Sequence, residues 1–306
     1  MIPAAVLSTY AAAAGWLAPA ALRGVWTARS PRLALSLWLA LPLSWVVAVI
    51  LATLSATVPA AFTWHAPQPA GSRALLAGPS VPGGQVIAIA GLLAIAAILS
   101  WVCWFLIAEL MRDRRARHDH AAVLAGAAQL RDEPDVVVLD QDLPAAYSLP
   151  ASRHLIVVSA GTLLALEPGQ LQAVLAHEQA HLRNRHHLML TVAAALAAAF
   201  PLVPLLAKAS EHIGTLAELA ADDAAARRYS RDDLAAALVI LARAGASRAT
   251  LAAGGPATIA RIRRLLAPQP GPARAARLAA GAGLLLPVAI ACLPLVIAAC
   301  GVTSRI

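Results

Sequence analysis

The apolar positions fall into long runs at both ends of the chain, with a polar stretch between them. Four runs are long enough to cross roughly 30 Å of hydrocarbon as helices. They cover residues 2–22, 33–57, 85–111 and 278–300. The first has no basic residue ahead of it and its first charge, Arg23, follows it, so it reads as a retained helix and not a cleaved leader. Between the third and fourth runs, residues 135–139 (DVVVL) and 155–159 (LIVVS) are short β-branched runs bounded by Pro, Asp and Gly, which predicts two strands. From Pro168 onward the pattern is helical. Leu171, Val174, Leu175 and Leu182 form an apolar stripe, with Gln172, Gln179 and Arg183 opposite. These patterns divide the chain into a three-helix membrane region (1–111), an inserted polar domain (112–277) and a final transmembrane helix with a short tail (278–306).

Composition supports the membrane assignment. The chain is 60% hydrophobic and 13% charged, about half the charge of a soluble domain, and this excludes both disorder and an ordinary soluble enzyme. The net charge of +8 would suit a nucleic-acid partner, but the arginines gather at the ends of apolar runs, where they act as topology signals. No nucleic acid is expected; the partners are a protein or peptide substrate and the bilayer. Arg23, Arg29 and Arg32 follow the first helix, and Arg112, Arg114, Arg115 and Arg117 follow the third. Only Arg73 lies in the proline-rich link between the second and third. The positive-inside rule then places the N-terminus and C-terminus outside a bacterial cell membrane and the polar domain in the cytoplasm. Cys103, Cys292 and Cys300 lie in apolar segments without CxxC spacing and read as small packing residues.

The chemistry concentrates in His177-Glu178-Gln179-Ala180-His181. Pro168 after Glu167 suits the first turn of a helix. On that helix His177 and His181 lie one turn apart on the same face, a spacing that lets two imidazoles converge on one zinc ion. Glu178 lies on the adjacent flank, within reach of a water at the ion, and is the candidate catalytic base. A catalytic site needs a third protein ligand, and two candidates exist. His187 follows His181 by six residues, as in HExxHxxGxxH, with Asn184 at the glycine position. Glu218, in the run Glu218-Leu219-Ala220-Ala221-Asp222-Asp223, would come from a second helix, with Asp222 orienting a ligand histidine. If both contributed, a closed structural site would result.

Glu218 carries a topological condition. The apolar run 188–207, broken by Pro201 and Pro204, separates it from the histidines. One crossing would leave Glu218 on the wrong side, and two need about 40 apolar residues. If Glu218 is a ligand, the run must dip in and return near Phe200-Pro201, covered by other helices so that its turn leaves no backbone group facing lipid; hydropathy alone reads it as an ordinary spanning helix.

Three stretches carry a resemblance: Ala146 to Pro150 with the strand His154 to Ser159, Leu175 to Arg183 around the HExxH, and Phe200-Pro201-Leu202 running on to Asp223. In these the chain resembles the M56 membrane-embedded zinc peptidases, the group of the BlaR1-type and MecR1-type antibiotic sensors. The resemblance implies a polytopic α-helical membrane protein with an inserted cytoplasmic α+β domain of the zincin-like, gluzincin type (HExxH…ExxxD). It implies one zinc per chain on His177, His181 and Glu218, with Glu178 as base and a re-entrant 188–207 segment. The expected activity is cleavage of a protein, such as a transcriptional repressor or the chain itself, within a signalling role. The penicillin-binding domain of those sensors has no counterpart in these 306 residues, so sensing by acylation is not expected. Two alternatives remain: a signal transducer with weak or self-directed proteolysis, and a quality-control protease of the HtpX type, which shares the helix motifs with a clearer hairpin between the second His and the Glu. The strand His154, Leu155, Ile156, Val157, Val158, Ser159 is expected to be an edge strand onto which an extended substrate adds. Tyr147 and His212 are candidates for oxyanion stabilisation.

Overall fold

A computed structural model describes residues 2–57, 84–130, 135–150, 154–246 and 251–267, with five isolated positions between 289 and 296. The proline-rich link and the expected final transmembrane helix lie outside the described residues.

Among the described residues, three helices are long and apolar enough to cross a membrane: α1 (Ile2–Ala21), α3 (Pro31–Thr57) and α4 (Gly84–Ala127), with the short α2 (Val25–Arg29) between the first two. Leu7, Trp38 and Ala48 pack α1 against α3, and Tyr10 Oη lies 2.6 Å from Ser44 Oγ across the pair. Along α4, Val86, Ile89, Leu92, Leu93, Trp104 and Ile107 are exposed, an apolar surface that water would not favour and lipid would. The third helix does not end at residue 111 as expected. With 44 residues it extends about 66 Å, roughly twice the hydrocarbon thickness. The arginine run lies within it, because nothing between Met111 and Ala127 is a helix breaker except Gly126.

The polar region begins with β1 (Ala128–Leu130), β2 (Val136–Leu139), β3 (Ala146–Pro150) and β4 (His154–Ser159). The two expected strands are β2 and β4. They pair in parallel, with Val137 opposite Val157, and are flanked by β1 and β3, giving the order β1-β2-β4-β3. Buried Ile156 and Val158 meet Leu182 and Val136 on one face, and Val157 meets Leu124 and Leu149 on the other. Next comes α5 (Ala160–Ala165), capped by Ser159, whose hydroxyl accepts from the Thr162 N–H. Gly161 is required there, since a Cβ would lie 1.8 Å from the Asp142 carbonyl oxygen.

Five helices complete the described chain: α6 (Pro168–Arg183), α7 (His186–Ala199), α8 (Pro204–Ala225), α9 (Arg231–Ala246) and α10 (Leu251–Leu266). Together α7 and α8 form a hairpin that turns through Phe200 to Val203, where Pro201 and Pro204 prevent one continuous helix. The 14-residue α7 is too short to span a bilayer. From His186 to Ala199 the chain advances about 20 Å, and from Pro204 to Glu218 it returns about 21 Å. Leu205, Leu206 and Ile213 bury against α1 and α3. The turn is braced on one side, where Trp45 stacks edge-on against Phe200 and Trp101 Nε1 donates to the Ala199 carbonyl at 2.9 Å, while Pro201 and Leu202 at its tip are exposed.

Candidate metal centre

Helix α6 starts where the sequence places it. Pro168 occupies its first turn, and the Glu167 N–H donates to Gln170 Oε1 at 3.2 Å, half of a reciprocal capping box. Its apolar stripe meets the sheet and α9 through Leu171, Val174 and Leu182. His177 and His181 are thereby turned toward α8. His177 is buried and His181 half-buried.

Three potential ligand atoms converge between α6 and α8. The Nε2 atoms of His177 and His181 are 3.1 Å apart, and each lies 3.5 Å from a Glu218 carboxylate oxygen. A tetrahedral ion with bonds of about 2.0–2.1 Å separates its ligand atoms by about 3.3–3.4 Å, so these spacings are those of a metal site. Among the described residues these three form the group able to hold an ion. On the far side of His177, Nδ1 lies 3.0 Å from Asp222 Oδ1, and Asp222 is fully buried. Glu178 is half-buried and receives hydrogen bonds from Ser148 on β3.

Besides Ser148, two participants escaped the sequence reading. Arg261 on α10 holds both carboxylates: Nε and Nη2 each donate to Asp222 at 2.8 Å, and Nη1 lies 2.8 Å from Glu218 Oε2. The signal available was indirect, since a buried carboxylate one turn after Glu218 requires a counter-charge, but nothing local names which of many arginines supplies it. The second is His186, 2% exposed, whose Nδ1 lies 3.0 Å from His181 Nδ1.

The electrostatics follow from burial and pairing. Burial opposes a charge on His177, yet its hydrogen bonds with Asp222 and Glu218 outweigh this and push its pKa up to about 9. Burial raises Glu218 and Asp222, but His177 and Arg261 hold both down at about 2. Burial lowers His181 to about 4, with His177 adding to the effect. Glu178 is raised by burial, the direction a proton acceptor near neutral pH needs. Without an ion, the flanking carboxylates thus favour the charged form of His177, while burial favours a neutral His181 beside it.

Other sequence candidates lie elsewhere. His187 faces Arg117, His154 and Asp113, so the closed four-ligand site does not form. Tyr147 turns to α4, with its hydroxyl 2.6 Å from His120 Nε2, and His212 stacks on Trp38 at 4.4 Å. Neither reaches the cluster. The edge-strand expectation for His154, Leu155, Ile156, Val157, Val158 and Ser159 also fails, because β2 pairs with one side of β4 and β3 with the other. Among the described strands, the edge on the Glu178 side is β3. A cavity of about 570 Å³ opens on the opposite face of α6, lined by Gln172, Gln179 and Arg183, and does not touch the cluster.

An HExxH helix facing a carboxylate from a second helix defines a metallopeptidase type of site. Comparison with known proteins narrows this. The family model of peptidase family M48 matches residues 111–269, just over half of the chain, and the chain belongs to that family. Relatives include protease HtpX homologues. That of Acidiphilium cryptum is 41% identical over 76 residues, covering 24% of this chain and 26% of the relative. That of Methanosarcina mazei (HtpX homolog 2) is 31% identical over 99 residues, covering 31% and 33%. That of Persephonella marina is 29% identical over 145 residues, covering 44% and 50%. The chain thus spans a quarter to a half of the length of these relatives. No solved structure matches it significantly. The M56 resemblance is overturned by this match, and the support it gave to a signalling role goes with it. The HExxH and the glutamate of the second helix, which were part of what suggested M56, lie within the stretch matched by the M48 model and so do not separate the two families.

Proposed function

We propose that this chain is a membrane-bound, zinc-dependent endopeptidase of the HtpX type that hydrolyses a protein or peptide substrate. The observation that carries the reading is the convergence of His177 Nε2, His181 Nε2 and a Glu218 oxygen at metal-ligand spacing, with Glu178 on the flank. One zinc ion held by these three residues would supply Lewis acidity toward a water and the scissile carbonyl. Glu178, raised by burial and steadied by Ser148, takes the proton from the attacking water and delivers it to the leaving amine. Asp222 Oδ1, 3.0 Å from His177 Nδ1, favours a proton on that nitrogen and so keeps Nε2 free for the ion. Arg261 neutralises the two carboxylates and fixes their orientation. An extended substrate adds to the free edge of β3, next to Ser148 and Glu178.

The three apolar helices anchor the enzyme in the cell membrane, and α7–α8 dips in and returns, keeping Glu218 on the same side as the histidines. The arginines after the first and third helices support a cytoplasmic placement of the peptidase region. The test is zinc content and cleavage of an unfolded protein substrate by the detergent-purified full chain. Wild type should hold one zinc, and Glu218→Ala should lose it while His187→Ala retains it. Glu178→Gln should keep zinc but lose cleavage by about 10²-fold or more. Full activity in Glu178→Gln, or retained zinc in Glu218→Ala, would refute the assignment.

A further inference from the structure

The two histidines of the cluster are supported differently, and this asymmetry involves a residue outside the HExxH motif. His177 Nδ1 faces the carboxylate of Asp222. His181 Nδ1 faces no carboxylate; it faces Nδ1 of His186 at 3.0 Å, with the rings 4.8 Å apart and nearly perpendicular at 88°. On a continuous helix, positions five apart point about 140° away from each other and do not meet. The contact exists because the chain breaks between α6 and α7. Asn184 ends α6, and Arg185 takes a left-handed conformation (φ 51°, ψ 41°) that a side-chain-bearing residue adopts only under constraint. The next residue is His186, which is thereby folded back under His181 and buried. Asp135, in the turn before β2, is the other non-glycine residue of positive φ among those described.

The proton positions follow by exclusion. If Nε2 of His181 presents a lone pair to an ion, the ring's proton is on Nδ1. That N–H then donates to His186 Nδ1, which is bare, and the proton of His186 is on its own Nε2. A protonated His186 would place two N–H groups face to face in a buried site, so the neutral form is the one that fits.

We infer that His186 is a positioning residue, a neutral imidazole that accepts the Nδ1–H of His181 and fixes that ligand's tautomer and ring orientation toward the metal. The inference rests on the zinc-site reading above. It assigns to His186 the task that Asp222 performs for His177, but without a negative charge, which makes His181 the less basic of the two ligands.

The experiment uses the full-length chain in detergent and reads metal binding, not turnover. Zinc affinity is measured by competition with a chelator of known affinity, and the ligand field by the visible spectrum of the Co(II)-substituted protein. His186→Ala should weaken zinc binding ~10–100-fold, as loss of an outer hydrogen-bond partner of a ligand does, and should alter the Co(II) spectrum. His186→Asn, whose amide oxygen offers an acceptor, should restore affinity to within a few-fold of wild type. His186→Phe fills the space without an acceptor and should behave as the alanine variant does, which covers the case of an alanine variant that does not fold. A purely structural role predicts the reverse order, with phenylalanine tolerated and asparagine not. That order, or wild-type affinity in both His186→Ala and His186→Phe, overturns the proposal. Absence of stoichiometric zinc in the wild type would instead overturn the zinc-site reading itself.

Discussion

Arg261 provides the sharpest test of how the site is held together. Its guanidinium is 14% exposed and makes two 2.8 Å contacts to Asp222, which is fully buried, and one to Glu218, which is 39% exposed. Arg261→Met keeps the length of the side chain and removes the charge and the fork of donors. Asp222 is then a buried carboxylate with His177 as its remaining partner. Removing one member of such a buried pair costs about 3–5 kcal/mol. The contact to Glu218 adds little, since that carboxylate is partly solvated. For a domain of about 150–250 residues each kcal/mol is worth about 2–4 °C, so the metal-free variant should melt about 6–20 °C below wild type. Zinc brings its own positive charge to Glu218 and through His177 to Asp222, so the deficit should shrink in the loaded protein. The assay is thermal unfolding in detergent with and without zinc. Arg261→Lys, which keeps charge but not the bidentate fork, should fall between the two. A metal-free Arg261→Met protein that melts within about 2 °C of wild type would refute the claim that this arginine neutralises a buried carboxylate.

Two further outcomes follow from the same geometry. His177 has a folded pKa of about 9, above 6.5, so its contribution is complete below pH about 6.5 and disappears as pH rises through 9. His181 and His186, each lowered to about 4 first by burial, cost stability as pH falls below 6.5, so metal-free stability should peak near pH 6.5. Glu218 and Asp222 lose their contribution only as pH falls toward 2. Zinc must displace the His177 proton, so binding at pH 7–8 should release about one proton, read by calorimetry in two buffers of different ionisation enthalpy. Independently, Trp101→Phe strands the Ala199 carbonyl at the hairpin turn and should cost about 1–3 kcal/mol; an unchanged melting temperature would show that the turn does not depend on this cover.

What the sequence reveals and what it hides divide along physical lines. Apolar run length and the β-branched runs depend on local composition, and they predicted α1, α3, β2 and β4 within a few residues. The end of the third helix was missed because charge marks where a membrane ends, while helix propensity decides where a helix ends, and the arginine run satisfies both. Whether β4 lies at an edge depends on β3 pairing beside it, a long-range fact that five residues with an internal Tyr-Ser-Leu do not announce. The HExxH spacing is local, and so was legible. Arg261 is 43 residues beyond Glu218 and His186 depends on a left-handed residue, so neither carries a pattern.

The hairpin joins these parts into one argument. The sequence alone left His187 and Glu218 as rival ligands, because the apolar run between His181 and Glu218 was too long to ignore and too short to cross twice. Two helical arms of about 20 and 21 Å resolve that geometry by returning the chain to the level it left. The turn between them is braced from α3 and α4, by Trp45 against Phe200 and Trp101 on Ala199. The candidate metal site and the apolar helix cluster are therefore not separable modules. Glu218 reaches His177 only if α8 is held by α3, and α8 is held there by Leu205, Leu206 and Ile213, all of which lie between the turn and the ligand.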